Sequence, residues 1–148
     1  LKNLYMAKTD CTDRDTLSDI SSQIIYVLSI IGKYDEALVF LGNSEKHGDI
    51  TRTARLLSEG RIRLDMGETQ KAADCFAEAF ICSRNDMDTY IQTAMAYFDK
   101  GGVQQAIHTL LAGLTINPDT KRGYSYLADC YRLTGEKEKR SNTIRWNL

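Results

Sequence analysis

The stretch YFDKGGVQQAIHTLLAGLTINP, residues 97–118, combines strong helix interrupters with sequence that otherwise favours helix. An adjacent glycine pair, Gly101 and Gly102, stands near its start, and the only proline of the chain, Pro118, stands at its end. Glycine readily takes the left-handed conformation that ends a helix, and proline cannot continue one. The stretch therefore predicts a helix that begins after the glycine pair and ends before Pro118.

The glycine signal recurs along the chain at a nearly constant interval. The glycines are 35, 34 and 34 residues apart, at Gly32, Gly67, Gly101 and Gly135. Each lies between two segments whose apolar residues follow the helical period, and each therefore predicts the turn of a helix hairpin. Alanine follows the first three glycines by five residues, which indicates that the two helices of a hairpin approach closely there.

The composition is that of one globular domain without a strong electrostatic field. The 148 residues are 43% hydrophobic and 26% charged, and 19 basic against 20 acidic side chains give a net charge of −1. Such a chain can bury a continuous core, and its near neutrality argues against binding to nucleic acid. The longest apolar run, residues 24–31, is too short to cross a bilayer. We expect neither a nucleic-acid partner nor membrane insertion of this segment.

The cysteines show no spacing typical of a disulfide framework or a metal site. Cys75 and Cys82 lie seven residues apart on a predicted helix, about 10 Å along its axis, which is beyond disulfide reach. We interpret them as reduced core residues, and neither His47 nor His108 lies at ligand spacing from them. We expect no metal and no cofactor. Reduced thiols and the lack of a visible signal sequence favour a cytoplasmic location, although the first ten residues indicate that the native N-terminus is missing.

No motif of a catalytic site occurs in the chain. There is no GxSxG nucleophile elbow, no HExxH zinc helix and no glycine-rich phosphate loop. We interpret His47 as a residue near a helix C-terminus ahead of Gly48, and His108 as a residue on the outer face of its hairpin. We therefore expect that the protein is not an enzyme and has no catalytic residues.

The period of about 34 residues and the order of residue types within it resemble the tetratricopeptide repeat. The best match is YIQTAMAYFDKGGVQQAIHTLLAGLTINP, residues 90–118, followed by residues 56–80 and 124–140. Residues 21–44 match mainly through GKYDEAL. The resemblance implies an all-α fold, a right-handed α-solenoid of antiparallel helix hairpins with about four repeats.

The resemblance also divides the chain. Residues 1–16 are interpreted as the tail of a preceding helix plus a linker, and residues 17–148 as the repeat domain. The repeats are expected at about 18–52, 53–86, 87–120 and 121–148. Two departures from the family pattern stand out: Arg63 replaces an aromatic residue, and Arg140 replaces the small alanine of the last hairpin. The last repeat is therefore interpreted as degenerate or as a capping repeat.

In this family the first helix of each hairpin lines a concave groove, with side chains thirteen, ten, nine, six and two residues before the turn glycine facing the ligand. From these positions we select eight groove residues as the expected partner-binding site: Tyr26, Arg61, Asp65, Gln92, Asp99, Arg122, Tyr126 and Asp129. The lysine and asparagine residues of the family's two-carboxylate clamp are absent from the matching positions. Binding of an acidic C-terminal tail in that manner is therefore not expected.

The resemblance leaves more than one function open. The favoured hypothesis is a scaffold or adaptor that binds a protein or peptide partner in the groove, as a fragment of a larger protein. The alternative is a regulatory or self-associating repeat domain within a larger protein, for example a bacterial signalling or secretion-related one, so a homo-oligomer stays open. A passive spacer between other domains is the third hypothesis. The sequence does not identify the partner.

Overall fold

The computed structural model describes residues 1–10 and 13–135. These residues form eight α-helices and no strand. The helices are α1 (Lys2–Asp10), α2 (Arg14–Ile30), α3 (Tyr34–Lys46), α4 (Arg52–Asp65), α5 (Thr69–Cys82), α6 (Met87–Asp99), α7 (Val103–Ile116) and α8 (Lys121–Thr134). The predicted all-α fold of helix hairpins is confirmed. Arg140 and the second helix expected in the fourth repeat lie outside the described residues.

Each first helix is followed, within two residues of its end, by a glycine with left-handed backbone. The φ angles lie between 77° and 80° at Gly32, Gly67, Gly101 and Gly135. In the first three turns the amide that follows the glycine donates a hydrogen bond to the carbonyl five residues before it. These bonds are Lys33 N to Leu28 O at 2.9 Å, Glu68 N to Arg63 O at 2.9 Å, and Gly102 N to Tyr97 O at 2.8 Å. They are Schellman bonds, which satisfy carbonyls that a helix end leaves open, and the predicted hairpin turns at Gly32, Gly67 and Gly101 are confirmed.

The chain divides into two compact units, and the boundary falls inside α5, between Ala79 and Phe80. In the first unit α2, α3 and α4 enclose a core of buried apolar side chains: Ile24, Ile25, Leu28, Ala37, Leu41 and Ile62. Helix α1 is attached to this unit through Lys8, whose ammonium group lies 3.2 Å from a carboxylate oxygen of Asp49 and 5.2 Å from the ring centre of Phe40. The ring of Tyr5 meets the same Phe40 ring edge-on at 6.0 Å.

Helices α4 and α5 form an antiparallel hairpin held by ion pairs at both ends. Arg63 Nη1 lies 2.6 Å from Glu68 Oε2 beside the turn, and Arg52 Nη2 lies 2.5 Å from Glu78 Oε1 at the open end. Between these pairs Gly60 faces the ring of Phe76, and both residues are buried. The absence of a side chain at Gly60 therefore sets how closely the two helices approach.

The second unit begins at Phe80 and has its core between α6, α7 and α8. The ring of Phe80 stacks on Tyr90 with centroids 4.1 Å apart, and the Tyr90 hydroxyl donates a 2.9 Å hydrogen bond to Asn85 Oδ1. Asn85 has a left-handed backbone with φ of 61°, a conformation that asparagine tolerates better than most residues. Helix α7 ends at Ile116, two residues before Pro118, so the expected role of the proline between two helices is confirmed.

We predict that Gly60→Ala lowers the free energy of unfolding by about 1 to 3 kcal/mol, because the added methyl group would overpack the α4–α5 contact. Its Cβ would lie 2.4 Å from Cε1 and 2.6 Å from Cζ of the buried Phe76 ring. Urea denaturation followed by circular dichroism measures the effect.

The matched control is Gly42→Ala in α3, where an added Cβ meets nothing within 4 Å. This change should stabilise the protein by about 0.5 to 1 kcal/mol, because alanine favours helix over glycine. Equal stabilisation by both substitutions would contradict the close contact between α4 and α5.

Candidate partner-binding surface

All eight groove residues lie on the first helices of their hairpins. In the first unit Tyr26 is on α2, and Arg61 and Asp65 are on α4. In the second unit two are on α6 and three on α8: Gln92 and Asp99, then Arg122, Tyr126 and Asp129. Because the two units are separate compact bodies, the surface of each is described by itself.

In the first unit the end of α2 presents apolar side chains to solvent. Tyr26 is 66% exposed, and Ile30, one helical turn further on the same face, is 65% exposed. On α4, Arg61 and Asp65 are half-buried. The groove residues of this unit are therefore an exposed tyrosine on α2 and a half-buried cation and anion on α4.

In the second unit polar contacts join α6 to α8 near their N-termini. Arg122 Nη1 on α8 lies 3.5 Å from Asp88 Oδ1 on α6, and the side-chain amide of Gln92 donates a 2.6 Å hydrogen bond to Asp88 Oδ2. Asp88 was not among the eight groove residues, although it stands thirteen residues before Gly101 and the family spacing includes it. It therefore contacts two of the groove residues, Gln92 and Arg122.

Further along the same two helices, α6 and α8 border a pocket of about 190 Å³. Three groove residues meet there: Asp99, Tyr126 and Asp129. The other lining residues are Ala94, Met95, Phe98 and Cys130. The lining is therefore mostly apolar, with one carboxylate from each helix.

Small side chains explain why a pocket forms at this point. Ala94 and Cys130 are buried and contribute only a methyl group and a thiol. Met95, Phe98 and Tyr126 are larger and only partly buried, so they pack against the core and still border open space. Met95 stands at a family groove position, six residues before Gly101. Phe98 does not, and no spacing rule applied to the sequence would have selected it.

The two carboxylates of the pocket differ in setting. Asp99 is exposed and is the last residue of α6. Asp129 is half-buried and accepts a charge-assisted hydrogen bond from Arg132 Nη2, one turn further along α8. This side of the surface therefore carries two anions at the C-terminal end of α6, where the helix dipole is also negative.

A separate charge network explains the arginine that replaces an aromatic residue in α4. Arg55, Glu59 and Arg63 lie four residues apart on one face of the helix. Glu59 lies 2.8 Å from Arg55 Nη1 and 3.8 Å from Arg63 Nε, and Arg55 Nε also lies 3.0 Å from Glu45. The Arg63 guanidinium lowers the pKa of Glu68 by donating a hydrogen bond to its carboxylate.

The same Glu59 holds the Cys75 thiol. Cys75 Sγ donates a hydrogen bond to Glu59 Oε2 at 3.2 Å. Burial first, and then the Glu59 carboxylate, raise the pKa of Cys75 to about 12. Burial and the neighbouring Asp129 also raise the pKa of Cys130. Because the thiolate is the nucleophilic form, both groups are poor nucleophiles at neutral pH.

The expectation that Cys75 and Cys82 are both core residues is confirmed for Cys75 and wrong for Cys82. Cys75, Cys82 and Cys130 are free thiols, but only Cys75 and Cys130 are buried. Cys82 is the last residue of α5 and is exposed. A helical pattern predicts the face on which a residue lies, but at the end of a helix that face is not always covered.

Histidines and clusters of metal-binding side chains are the other places where catalytic chemistry could occur. His47 caps the C-terminus of α3, as predicted, and His108 is exposed on α7. Across residues 1–10 and 13–135, no three His, Cys, Asp or Glu side chains are grouped so that they could hold a metal ion. Among the helices that the structure describes, none combines the length and the apolar character needed to cross a membrane.

Among the comparisons with known proteins, only those with solved structures bear on the fold. No family model and no curated protein matches the sequence. Among solved structures, MamA AMB-1 superposes with a TM-score of 0.51 at 14% identity, over 96% of this chain and 84% of that one. MamA MSR-1 gives 0.52 at 13% identity, over 95% and 80%.

A third similar structure is TTC0263, described as a thermophilic TPR protein in Thermus thermophilus. Its TM-score is 0.53 at 20% identity, over 88% of this chain and 73% of that one. At such identities the likeness shows the fold alone. The chain has a tetratricopeptide-repeat-like fold, and the resemblance found in its sequence is confirmed.

We predict that iodoacetamide alkylates Cys82 in the folded protein much faster than Cys75, when peptide mass mapping follows the reaction at about pH 8. Cys82 is exposed, whereas Cys75 is buried and its thiol is held protonated beside Glu59. Denaturation should make the two rates similar, which serves as the control.

The substitution Glu59→Gln should accelerate the alkylation of Cys75. It removes a negative charge and an ionic hydrogen-bond acceptor, so the pKa of the thiol falls and its thiolate fraction rises. In the folded wild-type protein, alkylation of Cys75 as fast as that of Cys82 would contradict the burial of Cys75 and its hydrogen bond to Glu59.

Proposed function

We propose that the chain is a protein-interaction scaffold that binds a segment of a partner protein on the exposed surface of its first helices. The observation that carries this proposal is the pocket between α6 and α8, to which three groove residues contribute. A mostly apolar pocket with a few polar groups at its edge is the usual form of a ligand site.

The size of the pocket favours a protein side chain as the ligand. Its volume of about 190 Å³ is below the roughly 300 to 1,000 Å³ of sites for drug-sized molecules. Met95, Phe98 and Tyr126, which border it, are of types enriched at protein interfaces. An anchoring side chain of a partner segment fits these dimensions better than a cofactor does.

The proposal extends to the groove residues outside the pocket. Gln92 and Arg122 are exposed on α6 and α8 beside it, where they offer an amide and a guanidinium group. In the first unit, Tyr26 with Arg61 and Asp65 would supply a second contact region. The exposed tyrosine supports this, because tyrosine and arginine often dominate binding energy at interfaces.

The proposal includes a binding role without catalysis and a cytoplasmic location. The exposed free thiol of Cys82 supports a reducing compartment, because such thiols persist there.

A second candidate function is self-association, and the surface of α1 favours it. Leu1, Tyr5 and Met6 are exposed and, with Lys2, border an open apolar depression. Exposed apolar surface of this kind is typical of a protein contact. Light scattering coupled to size exclusion tests this function: a dimer that Met6→Lys dissociates would support it, and a monomer at all concentrations would rule it out.

We predict that peptides selected from a random display library on this chain lose affinity in the variant Tyr126→Ala. The expected loss is about 1 to 2 kcal/mol, or roughly 5- to 30-fold, as is common for an aromatic contact. Calorimetry or fluorescence anisotropy measures it. Arg61→Ala tests in the same way whether the first unit contributes.

The control is His108→Ala, which changes an exposed residue of α7 and should leave the affinity unchanged. A library that yields no binding peptide, or binding that depends on His108 and not on Tyr126, would overturn the proposed function.

A further inference from the structure

From the chemistry of the α6–α8 pocket we infer that it takes one aromatic or long aliphatic side chain from a partner segment that carries lysine or arginine beside this anchor. The inference rests on the proposed function and specifies the segment that the surface recognises. Its two parts, the apolar anchor and the flanking cation, follow from different residues of the pocket.

The apolar anchor follows from the inner lining. Ala94 and Cys130 are buried at the pocket, and Met95 and Phe98 border it from α6. Tyr126 borders it from α8. The Cys130 thiol stays protonated and uncharged, because burial raises its pKa. A polar side chain placed among these groups would lose its water without gaining partners, so an apolar one is favoured.

The flanking cation follows from the carboxylates at the edge. Asp99 and Asp129 stand on different helices but border the same pocket. An ionised carboxylate accepts hydrogen bonds and donates none, so a neighbouring ligand group must be a donor, and lysine and arginine donate most strongly to it. An acidic ligand group would be repelled there.

The ion pair between Asp129 and Arg132 does not prevent this recognition. The two side chains are 48% and 65% exposed and stand three residues apart on α8. Exposed pairs of this kind contribute little, because solvent screens them. A ligand cation can therefore take the place of Arg132 or add to it at small cost.

The direction of helix α6 strengthens the preference for a cation on the ligand. Helix α6 ends at Asp99, so its C-terminal carbonyl groups and the negative end of its dipole are next to the pocket. The cation Arg122 is at the other end of the surface, near the N-terminus of α8, where Asp88 already pairs with it. The basic residue of the segment is therefore expected beside the C-terminal end of α6.

Four synthetic peptides test the two parts separately. All have the same length and a Gly/Ser background with blocked ends, and they differ only in a central Phe or Ala and in flanking Lys or Glu residues. Each is titrated into the isotope-labelled protein, and the amide signals are followed by NMR. The Phe/Lys peptide should bind at least about threefold more tightly than the other three, because an exposed ion pair is worth up to about 1 kcal/mol. It should shift the signals of Met95, Phe98, Tyr126 and Cys130, and about 0.5 M NaCl should weaken its binding.

A matched pair of charge-neutralising variants locates the cation site. Asp99→Asn combined with Asp129→Asn should abolish the preference for Lys over Glu flanks and keep the preference for Phe over Ala. The control combines Asp74→Asn with Asp119→Asn, which neutralises two exposed aspartates outside the pocket and should keep both preferences. The amide spectra report directly whether each variant is folded.

The outcomes separate this inference from the function on which it rests. Equal binding of the Lys- and Glu-flanked peptides, or shifts confined to residues away from the pocket, would overturn the inference. So would a failure of all four peptides to bind while a library-selected peptide binds elsewhere. In these cases the scaffold function stands, whereas a failure of the library itself overturns both.

Discussion

A glycine with φ near 80° follows α2, α4 and α6, and in each case three residues separate the helix from the next one. The same hydrogen bond, from the residue after the glycine to a carbonyl five residues earlier, closes each turn. Because a left-handed residue at this point costs little only for glycine, the turn geometry is the same each time. Each of these turns therefore reverses the chain in the same way and places the two helices of its hairpin side by side.

The contacts inside the hairpins depend on that geometry. In the α4–α5 hairpin Gly60 faces Phe76, and in the next hairpin Gly113 of α7 faces Tyr90 and Met87 of α6. A ring packed against a helix backbone buries much apolar surface at short interhelical distance, but only where the partner has no side chain. The ring of Tyr90 also stacks on Phe80, and its hydroxyl bonds to Asn85, so one side chain joins three successive segments of the second unit.

The sequence was sufficient for the fold because turns and helical periods are local properties. The spacing of Gly32, Gly67 and Gly101 and the position of Pro118 predicted where helices end. The pocket could not be predicted in this way. It depends on the combination of small buried residues with partly buried large ones on two helices, and Phe98 belongs to it although it occupies no groove position of the family. Cys82 was misjudged for a related reason, since its burial depends on what covers the last turn of α5.

The departures from the family pattern carry the individual chemistry of this chain. Arg63 stands where an aromatic ring is expected, and its environment suits a cation: Glu59 and Glu68 supply carboxylates, and Glu59 also accepts a hydrogen bond from the Cys75 thiol. At the pocket, Asp99 and Asp129 supply one carboxylate from each helix. The repeated turns thus determine the backbone path, while the exposed side chains of the first helices determine the chemistry of the surface. The proposed preference for a basic, apolar segment follows from these two carboxylates and from the apolar side chains that line the same pocket.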